Sequence, residues 1–247
     1  MILLVDTGNS RIKWTTCCDG RLAAAQAIAW AKADLAAVFE EAWGHLGSPR
    51  AIWVANVGGP RFERALDEFA QGRFGLIPRY VRSSAELAGI RNAYLAPERL
   101  GVDRLLAMVA ARRTCTGPVM VADCGTAVTV DFVDDAGNFA GGVIAPGLAL
   151  MHGALSRGTN ALPSVVPEAG PALALTTEGA MASGCLLAIA GLIGMVAAEI
   201  KVISGLEPKC ILTGGDAARV IPKLSMPCHH DPDLVLRGLA IVAGEAE

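Results

Sequence analysis

The sequence predicts an α/β fold made of two related halves, and three observations predict it. First, a strand-acid-glycine pattern occurs twice. Ile2-Leu3-Leu4-Val5 runs into Asp6-Thr7-Gly8-Asn9-Ser10, and Val119 to Ala122 runs into Asp123-Cys124-Gly125-Thr126. Second, short apolar runs alternate with stretches of helical periodicity, the pattern of sheet mixed with helix. Third, 247 residues with 53% hydrophobic content can bury one large core or two modest ones. The expected halves are residues 1–116 and 117–247, joined at Gly117-Pro118.

In the first copy, Ile12 and Trp14 alternate with Arg11 and Lys13 after the turn, as in a half-buried strand. Leu35, Val38, Phe39 and Trp43 recur at helical spacing within a helix expected over Ala33 to Leu46. Ile52 to Ala55 reads as a buried strand stopped by Gly58-Gly59-Pro60. A helix over Arg61 to Phe69 and a strand over Leu76 to Val81 follow. The next helix opens at Gly101-Val102-Asp103-Arg104 and runs to Arg113.

In the second copy, Val128, Val130 and Phe132 alternate with Thr129 and Asp131. Asp134, Asp135, Gly137 and Asn138 supply a turn into another strand. Pro146-Gly147 ends that strand and starts a helix through Met151 toward Leu155. A loop over Ser156 to Gly170 contains Pro163 and Pro167. Cys210 to Thr213 reads as a buried strand followed by Gly214-Gly215-Asp216.

The segment Ala180 to Ala198 carries no formal charge and is long enough to raise the question of a spanning helix. It is rich in Ala and Gly, includes Ser183, and continues into Glu199 and Lys201. A helix buried all round, in a core or a subunit interface, is the expected reading. Asp6 interrupts the first apolar run too early for a signal peptide. Seven cysteines without C-x-x-C pairing point to a reducing compartment rather than a disulfide framework or a zinc site. A net charge of −3 with no basic stripe disfavours nucleic acid. The expectation is a cytoplasmic protein with no membrane and no nucleic-acid partner.

The repeated hairpin carries the chemistry. A glycine lets backbone approach a bulky anion, and turn N–H groups with the Thr126 hydroxyl can donate to phosphate oxygens. Asp123 has the wrong sign to touch phosphate, so its natural role is to hold a cation that phosphate also touches. The alternative is an ordinary hairpin with an Asp turn. Laid over one another, Asp6 falls on Asp123, Gly8 on Gly125 and Asn9 on Thr126, which suggests two halves facing across a cleft. Asp103 and Arg104 fall in a first helical turn, where an acid and free N–H groups serve either as a cap or as an anion site. Thr177 likewise serves either as a cap or as a contact. Cys228-His229-His230 lacks the spacing of a zinc motif, and no Walker A sequence occurs.

The duplicated hairpin resembles the superfamily of actin, the heat-shock chaperone ATPases and the acetate and sugar kinases. Six motifs in order resemble type III pantothenate kinases: DTGNSRIKW, NAYLAPERLGVDR, DCGTAVTVD, GGVIAPG, TTEGAMASG and LTGGDA. The resemblance implies two ribonuclease H-like, actin-like ATPase halves with a nucleotide cleft between them. It implies transfer of the ATP γ-phosphate to pantothenate, the first step toward coenzyme A. Asp103 is then the general base, and Tyr94, Gly101, Val102, Arg104 and Thr177 bind pantothenate. The hairpin Asp6, Thr7, Gly8, Asn9, Ser10, Arg11, Ile12 and Lys13 binds ATP together with Gly125, Thr126, Gly214 and Gly215. Asp123 holds a monovalent cation, K+ or NH4+, while Mg2+ accompanies the nucleotide, and the enzyme is a homodimer. This chain has Thr176 where the family usually has Asn. The alternatives are another small-molecule kinase of the superfamily, or a non-catalytic regulatory or transcription accessory protein on this fold.

Overall fold

The computed structural model describes residues 1–30, 33–159, 162 and 171–245. In chain order the first elements are β1 (Ile2–Thr7), β2 (Arg11–Cys18), β3 (Arg21–Leu22), β4 (Gln26–Ala29), α1 (Leu35–Trp43), β5 (Ile52–Asn56) and α2 (Pro60–Phe74). Then come β6 (Arg79–Val81), β7 (Glu86–Leu87), β8 (Ile90–Asn92), α3 (Val102–Thr114), β9 (Val119–Cys124), β10 (Ala127–Val133) and β11 (Asn138–Pro146). The last are α4 (Leu148–Gly158), α5 (Thr177–Ser204), β12 (Lys209–Thr213), the single turn α6 (Ala217–Val220), β13 (His229–His230) and α7 (Leu234–Glu245). The chain is mixed α/β. It divides into two compact units: Met1–Arg113 with Asp233–Glu247, and Thr114–Pro232. The sequence reading put everything after residue 116 in the second half, whereas α7 packs with the first unit. Gly238 permits this close approach, since a Cβ there would stand 2.0 Å from the Leu106 carbonyl of α3.

The first unit has strand order β3-β2-β1-β5-β6, with β4 on the far part of β2. β1 runs antiparallel to β2 and parallel to β5, so its apolar residues Leu3, Leu4 and Val5 are fully buried. Asp34 caps α1 by accepting from the Ala36 N–H at 3.1 Å. The helix then buries Leu35, Val38, Phe39, Ala42 and Trp43, the stripe that its period requires. Phe39 stacks on Trp43 at 5.1 Å, and Trp14 and Phe62 meet this pair edge-on. α2 starts with Pro60 and outruns its expected end, stopping at Gly75 in the left-handed region at φ 68°. β6 begins only at Arg79, because Pro78 before it has no N–H to give a ladder.

The second unit has strand order β13-β12-β9-β10-β11, with β9, β10 and β11 antiparallel and β12 parallel to β9. The turn from β10 to β11 is built by Asp134, whose carboxylate accepts from the N–H groups of Ala136 and Asn138 at 2.9 and 2.8 Å. Met120, Ala122, Cys124, Val128 and Val130 form one side of a core that Leu186, Ile189 and Ile193 of α5 complete. Helix α5 is only partly covered within the single chain. It buries one face, while Leu187, Met195, Val202 and Ile203 are 41%, 71%, 79% and 70% exposed. It is long and apolar enough to cross a membrane, and 33% of its most apolar 18-residue stretch is buried. α4 continues through Gly158, so the expected loop starts later than Ser156. Its Pro163 and Pro167 lie outside the described residues.

Candidate active site

In the first unit the β1–β2 hairpin sets Asp6 opposite Lys13 and Thr7 opposite Ile12. The Gly8 N–H closes the turn on the Arg11 carbonyl at 3.0 Å. Thr7 and Ile12 are buried, while Asn9, Ser10 and Arg11 are exposed, so the turn offers its polar groups outward. Lys13 Nζ meets Asp233 Oδ1 at 2.7 Å, a pair that ties the hairpin to the start of α7.

A second constellation in the same unit gathers around the start of α3. Asn92, 9% exposed, organises the approach. Its side chain donates to the carbonyls of Ser84 and Pro97 at 3.2 and 3.0 Å and accepts from the Tyr94 N–H at 3.1 Å. Arg104 is buried and donates from Nη1 to the Tyr94 hydroxyl at 3.1 Å, its guanidinium 5.8 Å from the ring centroid. Asp103 Oδ1 accepts from the Arg104 N–H at 2.8 Å, so the capping reading of this acid has a real contact behind it. Burial pushes the Asp103 carboxyl above its usual range, and the Arg104 N–H and charge pull back only partly. A Cβ on Gly101 would stand 2.5 Å from Asp103 Oδ1, so a side chain there would displace the carboxylate.

In the second unit the β9–β10 hairpin repeats the first with a turn one residue shorter: Asp123 faces Thr129, and the Gly125 N–H reaches the Ala127 carbonyl at 3.0 Å. Parallel pairing of β12 with β9 sets Thr213 beside Asp123. Gly214, at φ 92°, then passes so close that a Cβ would stand 2.4 Å from Asp123 Oδ1, while one on Gly125 would stand 3.4 Å away. The Asp123 carboxylate is therefore cradled by two glycines. Gly147 closes the other side, its N–H on the Thr126 carbonyl at 3.0 Å. Burial pushes the neighbouring Cys124 and Cys210 thiols up to about 12. Thr176 is the cap of α5, accepting from the Gly179 N–H at 3.1 Å; this leaves Thr177 exposed at the first helical position and overturns its capping alternative. His229 and His230 are exposed on β13, and among the described residues no cluster of His, Cys, Asp or Glu could hold a metal.

A sequence model of the type III pantothenate kinases matches residues 2–199. A relative from Nitrosococcus oceani, a type III pantothenate kinase, is 39% identical over 249 residues, spanning 98% of this chain and 94% of its own. The chain belongs to the type III pantothenate kinase family. Solved structures show the shared fold. One from Campylobacter jejuni, described as a Baf family transcriptional activator, superposes with a TM-score of 0.60 at 20% identity, covering 99% of this chain and 98% of that one. One from Listeria monocytogenes, described as an N-acetylmannosamine kinase, reaches 0.53 at 13% identity, covering 100% and 99%. At such identities the likeness carries fold and not activity.

In this chain the motif residues gather in three places. Asp6 to Lys13 form one hairpin, Tyr94, Gly101, Val102, Asp103 and Arg104 surround the first turn of α3, and Asp123, Gly125, Thr126 and Gly214 converge at the second hairpin. Asn92 and Asp233 were not singled out as site residues. Asn92 lay inside a quoted motif, and Pro232-Asp233 ahead of an apolar run is a helix-start signal that would have located α7.

Proposed function

We propose that this chain transfers the γ-phosphate of ATP to the hydroxyl of pantothenate, giving 4'-phosphopantothenate. The observation that carries the reading is Asp103, an acid at the first turn of α3 with a raised pKa and with Arg104 and Tyr94 beside it. Phosphoryl transfer has a loose transition state, so the nucleophile needs orientation more than strong activation. Asp103 accepts the hydroxyl proton, and its raised pKa makes it a better acceptor than an ordinary carboxylate. Arg104, held by the Tyr94 hydroxyl, supplies positive charge to an anionic substrate or to the developing phosphoryl charge. Tyr94, Gly101 and Val102 shape the pantothenate pocket, and Thr177 of one copy reaches the pantothenate of the other, so that a homodimer shares its two sites.

The two hairpins handle the nucleotide. Asp6 to Lys13 grip its phosphates with Gly125 and Thr126, and Gly214-Gly215 lie against the adenosine. The glycine cradle around Asp123 fits a monovalent cation, K+ or NH4+, with the carboxylate as its charged ligand. Such a cation offsets phosphate charge. Mg2+ would come with the nucleotide, and Asp6 would be the carboxylate that handles the metal–nucleotide pair.

The open face of α5 supports a homodimer. Among the described residues, a Cβ on Gly184, Gly191 or Gly194 would meet nothing within 4 Å, so the stripe is smooth, and a second copy would bury it. A dimer would also explain a membrane-like helix in a cytoplasmic enzyme. The deciding experiment is a coupled assay with pantothenate and ATP, with and without potassium. Turnover of a sugar or acyl acceptor with none of pantothenate would sink the reading.

A further inference from the structure

Trp30 has no place in the chemistry above, yet it is bonded to the first hairpin twice. β4 pairs with β2 in the register Arg11 to Ala29, which carries the next residue, Trp30, to the level of the turn. The indole Nε1 donates to the Gly8 carbonyl at 2.9 Å, and the Trp30 backbone N–H donates to the Ser10 carbonyl at 3.2 Å. The ring itself is wedged. It is 6% exposed, tilts against Phe62 at 5.5 Å, and lies so close to Gly58 that a Cβ there would stand 2.7 Å from Cζ2. Gly58 is fixed in turn, its N–H on Asn56 Oδ1 at 2.8 Å, and Asn56 also donates to the Gly59 carbonyl and to Glu63.

The geometry has a stereochemical result. A trans peptide points its carbonyl and the following N–H in opposite directions, and every described peptide is trans. Holding the Gly8 carbonyl on the indole therefore turns the Asn9 N–H away from it, toward the open side of an otherwise exposed turn. A loop that presents donors before its ligand arrives loses less entropy on binding.

We propose that Trp30 is a positioning residue for nucleotide binding, presetting the Gly8–Ser10 turn so that the Asn9 N–H faces the phosphates. This rests on reading the Asp6 to Lys13 hairpin as the phosphate grip. The test compares Trp30→Phe, Gly58→Ala and Asp6→Asn with the parent in steady-state kinetics, with thermal melts alongside. Phe keeps an aromatic ring and loses both the donor and the indole edge against Gly58. The Gly58→Ala methyl keeps the donor and displaces the indole. Both are expected to raise KM for ATP roughly 5-fold, the size of one hydrogen bond, and to leave KM for pantothenate within about twofold. A general packing defect would move both constants or neither. If Asp6→Asn raises KM for ATP while neither other variant does, the positioning role is overturned. If Asp6→Asn leaves KM for ATP unchanged, the hairpin reading itself fails and the proposal with it.

Discussion

Arg104 Nη1 donates to the Tyr94 hydroxyl at 3.1 Å from a guanidinium lying over the same ring, so one aromatic residue both supports and orients a buried cation. Replacing Tyr94 with Phe retains the ring and removes the acceptor. We expect KM for pantothenate to rise about 5-fold, near 1 kcal/mol, with KM for ATP unchanged. Steady-state kinetics with each substrate varied in turn checks this.

Asp103→Asn removes the proton acceptor and keeps the oxygen that meets the Arg104 N–H. Turnover is expected to fall by about 10²–10⁴-fold. The melting temperature at neutral pH is expected to hold or rise, because burial disfavours the charged carboxylate that the substitution removes. An inactive variant that also melts well below the parent would return Asp103 to a structural cap.

The sign of the pH dependence follows from the same raised pKa. An acid whose folded pKa exceeds its unfolded value destabilises the fold when ionised, and the penalty fades as pH falls through the folded value. The gap in melting temperature between Asp103→Asn and the parent should therefore close on acidification. The acid limb of kcat/KM should lie above the ordinary carboxylate range and vanish in the variant. A limb at the usual Asp position would contradict the assignment.

Asp123→Ala empties the glycine cradle of its charge. Most activity should be lost, and what remains should no longer respond to potassium. Residual turnover that is still fully potassium-dependent would place the cation elsewhere.

Gly191→Glu tests the uncovered face of α5. A Cβ at this position meets nothing within 4 Å among the described residues, so the fold of the single chain should tolerate the change. Size-exclusion chromatography with light scattering should show a dimer for the parent and a monomer or aggregate with little activity for the variant. A folded, fully active monomer would remove both the interface and the shared site.

The longer strands and both hairpins were legible because period-two burial and D-x-G turns are local signals, whereas the short β3, β4, β7, β8 and β13 were not. Nor were the positions of Trp30 and Asp233. Each acts through a partner more than twenty residues away, Gly8 for one and Lys13 for the other. Neighbouring threonines gave a one-residue ambiguity that only backbone geometry resolves, with the cap falling on Thr176. The half-buried state of α5 was illegible for another reason: a helix apolar all round gives no pattern to say which side a single chain covers.

The seven thiols sort by depth, with Cys18 exposed, Cys115 and Cys228 between, and Cys17, Cys124, Cys185 and Cys210 buried. Thiolate is the reactive form, so Cys124 and Cys210, held near 12, stay inert toward alkylating reagents while the second unit is closed. Mass spectrometry of a timed labelling reaction would thus read the protein's breathing without any engineered probe. Cys18 starts the clock, and modification of Cys124 marks the moment the sheet beneath the phosphate turn comes apart.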